Sequence, residues 1–320
     1  MISNGKFYES QFEEATIELL REAHWQYAFG DDIHRKYTDP LIEEDLRNFL
    51  AVQYKDKNLT TSEMDSIVAN LRNTGGQNDY YALRNTFLLY RDGYDFAYSD
   101  GRSNPFRLEY IDFEHPVHNI FRCVNQFVME QGRENRRPDI LLFINGIPVC
   151  IIELKNPTKQ NATIHDAHTQ ICTRYMRDIP ALLKYCALAV ISDGAKNALG
   201  ATYTPFEFFY EWKKIENEDK AGKGLDTLRT LIRGAISPER ILEILRDYVY
   251  FPDPTKEDDT TEIVCRYPQF FATRKLRDHI LNHLRSVGGW YIFRSHRVWK
   301  NIYHVVPCPP TGFTMQKATG

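Results

Sequence analysis

The chain has 320 residues, 42% hydrophobic and 26% charged, with a net charge of −3. That length can bury a sizeable core and divides into more than one domain, and the composition is that of an ordinary globular protein, not a fibrous or disordered one. The charge excludes a uniformly basic surface, no apolar run reaches a membrane span, the N-terminus lacks a signal-peptide pattern, and the six cysteines are scattered without Cys-x-x-Cys pairs, so a cytoplasmic protein with reduced thiols is expected.

Taken in order, residues 8–25 read as an amphipathic helix, with Phe12, Ala15, Ile17, Leu19 and Leu20 on its apolar side and Glu13 and Glu14 as acidic positions. Asp39-Pro40 is expected to open a second helix to about Tyr54, and Thr61-Ser62 a third that ends near Gly75-Gly76. Tyr80, Tyr81, Phe87, Tyr90, Tyr94, Phe96 and Tyr98 form an aromatic-rich stretch. Such residues stack on bases in some proteins and fill cores in most. Residues 106–112 alternate and read as a strand; Phe127-Val128-Met129 read as the strand before the next hairpin. Arg133, Arg136 and Arg137 form a basic cluster, read equally as a phosphate contact or a solvated turn.

Residues 136–157 are the organising stretch. Two apolar runs, Ile140–Ile144 and Val149–Ile152, flank Asn145-Gly146, a pair that tolerates the positive φ of a tight hairpin turn. With a turn centred near Gly146, Asp139 and Glu153 are each seven residues away and fall on neighbouring strands; a bulge near Pro148 would shift this register by one. Glu153 and Lys155, two apart, share one face of their strand. Two carboxylates suit Mg²⁺, and a lysine beside them can orient a metal-bound water, which is what phosphodiester hydrolysis requires. The plainer alternative is solvated charges ending two core strands.

A helix is expected from about Thr163 to Arg177, carrying His165, His168, Gln170, Cys172, Arg174 and Tyr175. The His165, His168, Cys172 spacing invites a zinc reading, but no fourth ligand is evident and ordinary helix residues are preferred. Tyr185–Ser192 reads as a further buried strand, and residues 203–249 as an aromatic segment and two helices. Residues 251–262 are a Pro- and acid-rich linker between a domain at 1–250 and another at 263–320. A helix opens near Arg266-Tyr267-Pro268-Gln269. The fold class is α/β, with a mixed sheet flanked by helices.

Pro138-Asp139 with Glu153-Leu154-Lys155 is the signature of the PD-(D/E)xK nuclease superfamily. The longer string, Asn125-Gln126, then Arg137–Pro148, then Ile152–Pro157, resembles the nuclease region of type I restriction endonuclease R subunits, over roughly residues 7–290. The resemblance implies a restriction-endonuclease-like core followed by the start of a helicase-like motor. It implies Mg²⁺-dependent endonucleolytic cleavage of double-stranded DNA, with methyltransferase and specificity subunits as partners. It assigns the metal to Asp139, Glu153 and the Leu154 carbonyl, with Glu13 or Glu14 completing the site, catalysis to Asp139, Glu153, Lys155 and Gln170, and adenine reading to Gln269. The related branch carries Gln-x-x-x-Tyr, whereas Gln170 and Tyr175 are five apart. On an α-helix Gln170 then shares a face with Arg174, and Tyr175 lies about 140° away.

No Gly-x-x-x-x-Gly-Lys-Thr follows the Gln269 segment; Ala318-Thr319-Gly320 resembles only its opening, so the chain is read as cut there or divergent over its last thirty residues. ATP belongs to the longer family members, and no ATPase activity is expected of this chain. Two rivals remain: an assembly module that docks the motor to the methyltransferase core, and a stand-alone repair or recombination nuclease.

Overall fold

Six strands build one mixed sheet in sequence order: β1 Gln26–Phe29, β2 Phe121–Asn125, β3 Ile140–Ile144, β4 Ile147–Leu154, β5 Leu188–Ser192 and β6 Asn197–Ala201. The structure is a computed structural model that describes residues 4–155, 163–215, 222, 224–252, 260–284, 290–295 and 302–307. β1–β2 and β4–β5 pair parallel; β2–β3, β3–β4 and β5–β6 pair antiparallel. Every residue of β3, β4 and β5 is buried. Both sheet faces are therefore covered, which is why these strands read as continuous apolar runs without alternation.

The β3–β4 hairpin sets the register that matters. Asn145 and Gly146 have φ of +50° and +75°, and Ile144 faces Ile147, so the loop is a two-residue turn of the primed type. The turn is thus centred between Asn145 and Gly146, not on Gly146. A regular ladder from there would place Asp139 opposite Ile152. Instead Phe143 faces Pro148 while Leu142 faces Cys150, which leaves Val149 as the extra residue of a bulge. Pro148 has no N–H to give to the ladder at that point. Beyond the bulge Ile140 faces Ile152, and the next position outward sets Asp139 beside Glu153.

Helices cover the sheet. α1 spans Asn4–Glu22, α2 Glu43–Gln53, α3 Thr61–Asn73 and α4 Asp79–Asp92. α2 starts later than Asp39-Pro40: the Asp39 carboxylate accepts from the Leu41 N–H and pairs with Arg72 at 2.7 Å, holding a turn ahead of the helix. α3 begins at a reciprocal Thr60–Glu63 capping box. Tyr80, Phe87 and Tyr90 on α4 have no exposed surface, so they are core and stack on nothing outside. Residues 106–108 alone form the strand expected over 106–112, paired with Tyr94–Phe96. The strand before the hairpin is β2, not residues 127–129. It stops at Gln126, whose φ is +55°, and Met129–Gln131 pairs instead with Glu134–Arg136.

After β4 comes a helical run in three segments: α5 Ile164–Thr169, a π-helical turn Gln170–Tyr175, and Met176–Asp178. It packs Ala167, Ile171 and Tyr175 with Leu141, Phe143 and Ile151 of the sheet. Further on are Leu225–Leu231, a second π turn at Ile232–Ile236, and Pro238–Asp247. On either side of the expected linker, Ile263 and Val264 pair back with Tyr250 and Val249, and Glu262 at its end is buried; residues 253–259 lie outside the described residues. Contacts divide the chain into two units, Met1–Val264 and Cys265–Gly320. In the second, Tyr267–Leu284 is a helix, and Trp290–Ser295 pairs antiparallel with Ile302–Pro307. Residues 318–320, like Cys308, lie outside the described residues. The other five cysteines are free thiols. Among the described residues no helix is long and apolar enough to cross a membrane.

Candidate active site

Glu153 is 1% exposed and stands two residues beyond Ile151, on the face that α5 and the π turn cover. Its Oε1 accepts from Lys155 Nζ at 3.0 Å, and its Oε2 from the Tyr175 hydroxyl at 3.3 Å. Lys155 Nζ also donates to Gln170 Oε1 at 2.6 Å, and Gln170 Nε2 donates to the Tyr175 oxygen at 2.7 Å. Four side chains thus close a ring: Glu153, Lys155, Gln170, Tyr175.

Asp139 adjoins the ring. Its Oδ2 accepts from the Leu154 N–H at 2.7 Å. A residue in an extended strand sends its N–H and C=O to the same side, so the Leu154 carbonyl faces the flank that holds Asp139. The Lys155 N–H turns the other way, to Ser192 O at 2.7 Å, as the alternation demands. Two carboxylates and a carbonyl therefore converge where β3 and β4 end, an all-oxygen donor set of the kind that Mg²⁺ takes.

Burial pushes the Glu153 carboxyl well above the usual carboxylate range, and the charge of Asp139 pushes it further; Lys155 and the Tyr175 hydroxyl offset only part. Burial, with Glu153 next, also raises the Tyr175 phenol. A buried carboxyl raised by burial and by a neighbouring carboxylate is what a divalent cation would stabilise in its charged form.

The π turn accounts for the spacing in the helix. On an α-helix Tyr175 would point away from Gln170. One wide turn with i→i+5 periodicity sets residues five apart side by side, and the 2.7 Å bond between them follows. Tyr175 belongs to the site, and Arg174, expected to share the face of Gln170, is exposed.

Of the two candidate acidic residues on α1, Glu13 and Glu14, Glu14 is exposed. Glu13 is held: Asn125 Nδ2 donates to it at 2.7 Å, and Gln126 Nε2 donates to both oxygens at 3.0 and 2.9 Å. Tyr27 donates to Asn125 Oδ1 at 3.0 Å, and the Gln126 N–H bonds the Asp139 carbonyl at 3.2 Å. This amide pair ties Glu13 to the base of Asp139. Glu13 does not join Asp139 and Glu153 in a set of three ligand atoms within 4.8 Å of one another. Gly30 makes room here, because a Cβ on it would meet Gln126 O at 2.5 Å. Sequence reasoning gave Asn125, Gln126 and Tyr27 no role; the signal was two amides at the end of a core strand.

Other candidates are placed elsewhere. Arg136 is bound to buried Asp178 at 2.7 Å, which leaves Arg133 and Arg137 as the exposed members of that cluster. His165 and His168 pack on Phe206, and His168 Nε2 contacts Thr204 O at 3.0 Å; with Cys172 they do not form a ligand set. Gln269 Oε1 accepts from the Arg266 N–H at 2.8 Å, a helix-start bond that gives this glutamine a structural role. Asn156 and Pro157 lie outside the described residues.

Residues 6–208 match the family described as Type I restriction enzyme R protein N terminus. The Type I restriction enzyme HindI endonuclease subunit of Haemophilus influenzae is 29% identical over 283 residues, covering 84% of this chain and 26% of that protein. The putative type I restriction enzyme MjaIXP endonuclease subunit of Methanocaldococcus jannaschii is 27% identical over 293 residues, covering 84% and 27%. A second protein of that organism, the putative MjaVIIIP endonuclease subunit, is 31% identical over 186 residues, 56% of this chain and 17% of its own length. The chain thus spans about a quarter of the length of the first two relatives. With 203 of its 320 residues matched, the chain belongs to the family of type I restriction enzyme R protein N termini.

Proposed function

We propose that this chain is the nuclease part of a type I restriction R subunit and cleaves double-stranded DNA endonucleolytically with Mg²⁺. The observation that carries this reading is the side-chain ring of Glu153, Lys155, Gln170 and Tyr175 with Asp139 set beside it across the bulged hairpin. Asp139, Glu153 and the Leu154 carbonyl would hold the metal. Bound there, Mg²⁺ would supply positive charge to the phosphate and make a water more acidic. Lys155, anchored between Glu153 and Gln170, orients the attacking water and meets the charge that develops on the phosphate. Gln170 and Tyr175 fix the lysine and the glutamate, and Glu13, through Asn125 and Gln126, steadies the strand end that carries Asp139. Exposed Arg133 and Arg137, just before Asp139, are placed to take DNA phosphates.

The reading includes partners and place: methyltransferase and specificity subunits choose the site, the motor that begins at residue 263 consumes ATP in the full-length family member, and the assembly works in the cytoplasm. Plasmid cleavage by the complex reconstituted with those subunits tests it. Asp139→Ala is expected to abolish cleavage and leave assembly intact. Undiminished cleavage by that variant would refute the assignment.

A further inference from the structure

Among the described residues one set of three His, Cys, Asp or Glu ligand atoms lies within 4.8 Å of one another, and it does not include the carboxylate pair: Asp112, His115 and His118, just ahead of β2. Asp112 is 4% exposed. Its Oδ1 accepts from the N–H groups of Glu114 at 3.0 Å and His115 at 2.8 Å, which fixes the carboxylate. Its Oδ2 faces His118 Nδ1 at 2.8 Å and His115 Nδ1 at 3.5 Å, and takes a bond from Gln53 Nε2 at 3.3 Å. The two imidazoles stack at 5.0 Å between centroids, 27° between planes.

An ion pair of Asp112 with His118 explains the shorter contact only. It does not explain why His115 lies parallel on its neighbour with Nδ1 turned to the same oxygen. Two charged imidazoles so stacked would repel; two neutral ones, sharing one cation, would not. The surroundings are acidic. Burial raises the Glu109 carboxyl, and the charges of Asp112 and Glu114 raise it further, with Arg107 offsetting part. Of the nearby cations, Arg107 is paired with Asp95 at 3.3 Å, and Arg246 with Asp247 at 3.1 Å and Glu114 at 3.5 Å.

We propose that Asp112, His115 and His118 form a second metal site, for a zinc-class ion, distinct from the carboxylate pair. Two imidazole nitrogens and one carboxylate oxygen are the donors of Zn²⁺, Co²⁺ and Ni²⁺, whereas Mg²⁺ takes oxygen. Tetrahedral Zn²⁺ sets neighbouring ligand atoms about 3.3 Å apart, so the two carboxylate–imidazole distances, 2.8 and 3.5 Å, need adjustments of about half an ångström or less, and the two imidazole nitrogens lie within 4.8 Å of each other. The carboxylate is preset, and the partly exposed rings leave an entry path and a fourth position for water. The loop is fastened to the fold, since Asn119 Oδ1 accepts from the Asp112 N–H at 2.9 Å and from Asn145 Nδ2 at 2.8 Å. The ion would therefore clamp a loop bonded to the turn of the β3–β4 hairpin.

Calorimetric titration of Zn²⁺ into the 320-residue chain, with millimolar Mg²⁺ present throughout, tests the site. The parent is expected to bind one Zn²⁺, and Co²⁺ in its place to give tetrahedral visible absorption. His115→Ala/His118→Ala, checked for folding by circular dichroism, is expected to lose that equivalent, and Asp139→Ala to retain it. No Zn²⁺ binding by the parent would overturn the proposal and leave an Asp112–His118 ion pair. So would an equivalent that survives the histidine substitutions or disappears with Asp139→Ala.

Discussion

The two ends of the β3–β4 hairpin contain similar amounts of buried polar chemistry, arranged to opposite purposes. At the turn, Asn145 is fully buried and every bond it makes is to a neutral, fixed partner. Its Oδ1 accepts from the Ile120 N–H at 2.7 Å, and its Nδ2 donates to Tyr110 O at 3.0 Å and Asn119 Oδ1 at 2.8 Å. Gly146 O accepts from the Ile42 N–H at 2.9 Å. At the other end, charged groups enter the network: a glutamate raised by burial and then by an aspartate, with Lys155 between it and Gln170. The turn end stabilises the fold. The carboxylate end costs stability, and the proposed function gives that cost a use, the taking of a cation or a phosphate.

Substitutions should separate the ends. The largest effect is expected from Lys155→Ala, which should reduce cleavage by the reconstituted complex by about 10²–10³-fold while circular dichroism shows the chain still folded. Unchanged cleavage would remove the lysine from the chemistry. Next, Asn145→Ala strands the Ile120 N–H and the Tyr110 carbonyl and should cost about 2–4 kcal/mol in urea unfolding. Divalent-ion affinity of the folded fraction should be unchanged; loss of affinity at equal stability would erase the contrast.

Tyr175→Phe is a smaller step. It removes one hydroxyl shared by Gln170 and Glu153, and should weaken Mn²⁺ binding by about 10–100-fold. An unaffected affinity would make the π turn a packing feature. The smallest effect concerns pH. The Glu153 carboxyl lies above its unfolded value, so it contributes stability that is present below the ordinary carboxylate range and lost as pH rises through the folded value. The metal-free chain should therefore lose stability toward neutral pH, and Glu153→Gln should flatten that slope in pH-dependent melts. Equal slopes in parent and variant would mean that Glu153 ionises normally.

How far the sequence could be read follows from which rule each feature obeys. β3, β4 and β5 were legible because strands buried on both faces leave continuous apolar runs. The nearness of Asp139 and Glu153 was also legible, but through two compensating details. The turn centre lies half a residue earlier than expected, and the Val149 bulge restores the register. A bulge leaves little trace beyond Pro148. The π turn was not legible, since helical reasoning assumes 3.6 residues per turn; the one clue was Gln170 and Tyr175 five apart where four was the expectation. Gln126 ends β2 with a left-handed backbone that its residue type does not announce, which is why the strand was placed too late. The amide pair holding Glu13 arises from contacts between distant segments, which local patterns do not record, whereas Asp112, His115 and His118 stand three apart in the sequence and were passed over.

The central claim is that the carboxylate end is a divalent-ion site, and Mn²⁺ calorimetry on the parent, Asp139→Ala and Glu153→Ala chains tests it most directly. Folding is checked by circular dichroism, and Mn²⁺ stands in for Mg²⁺. The account predicts that the parent binds Mn²⁺ and that both folded variants lose this binding. Binding unchanged in both variants, or absent from the parent, would contradict it.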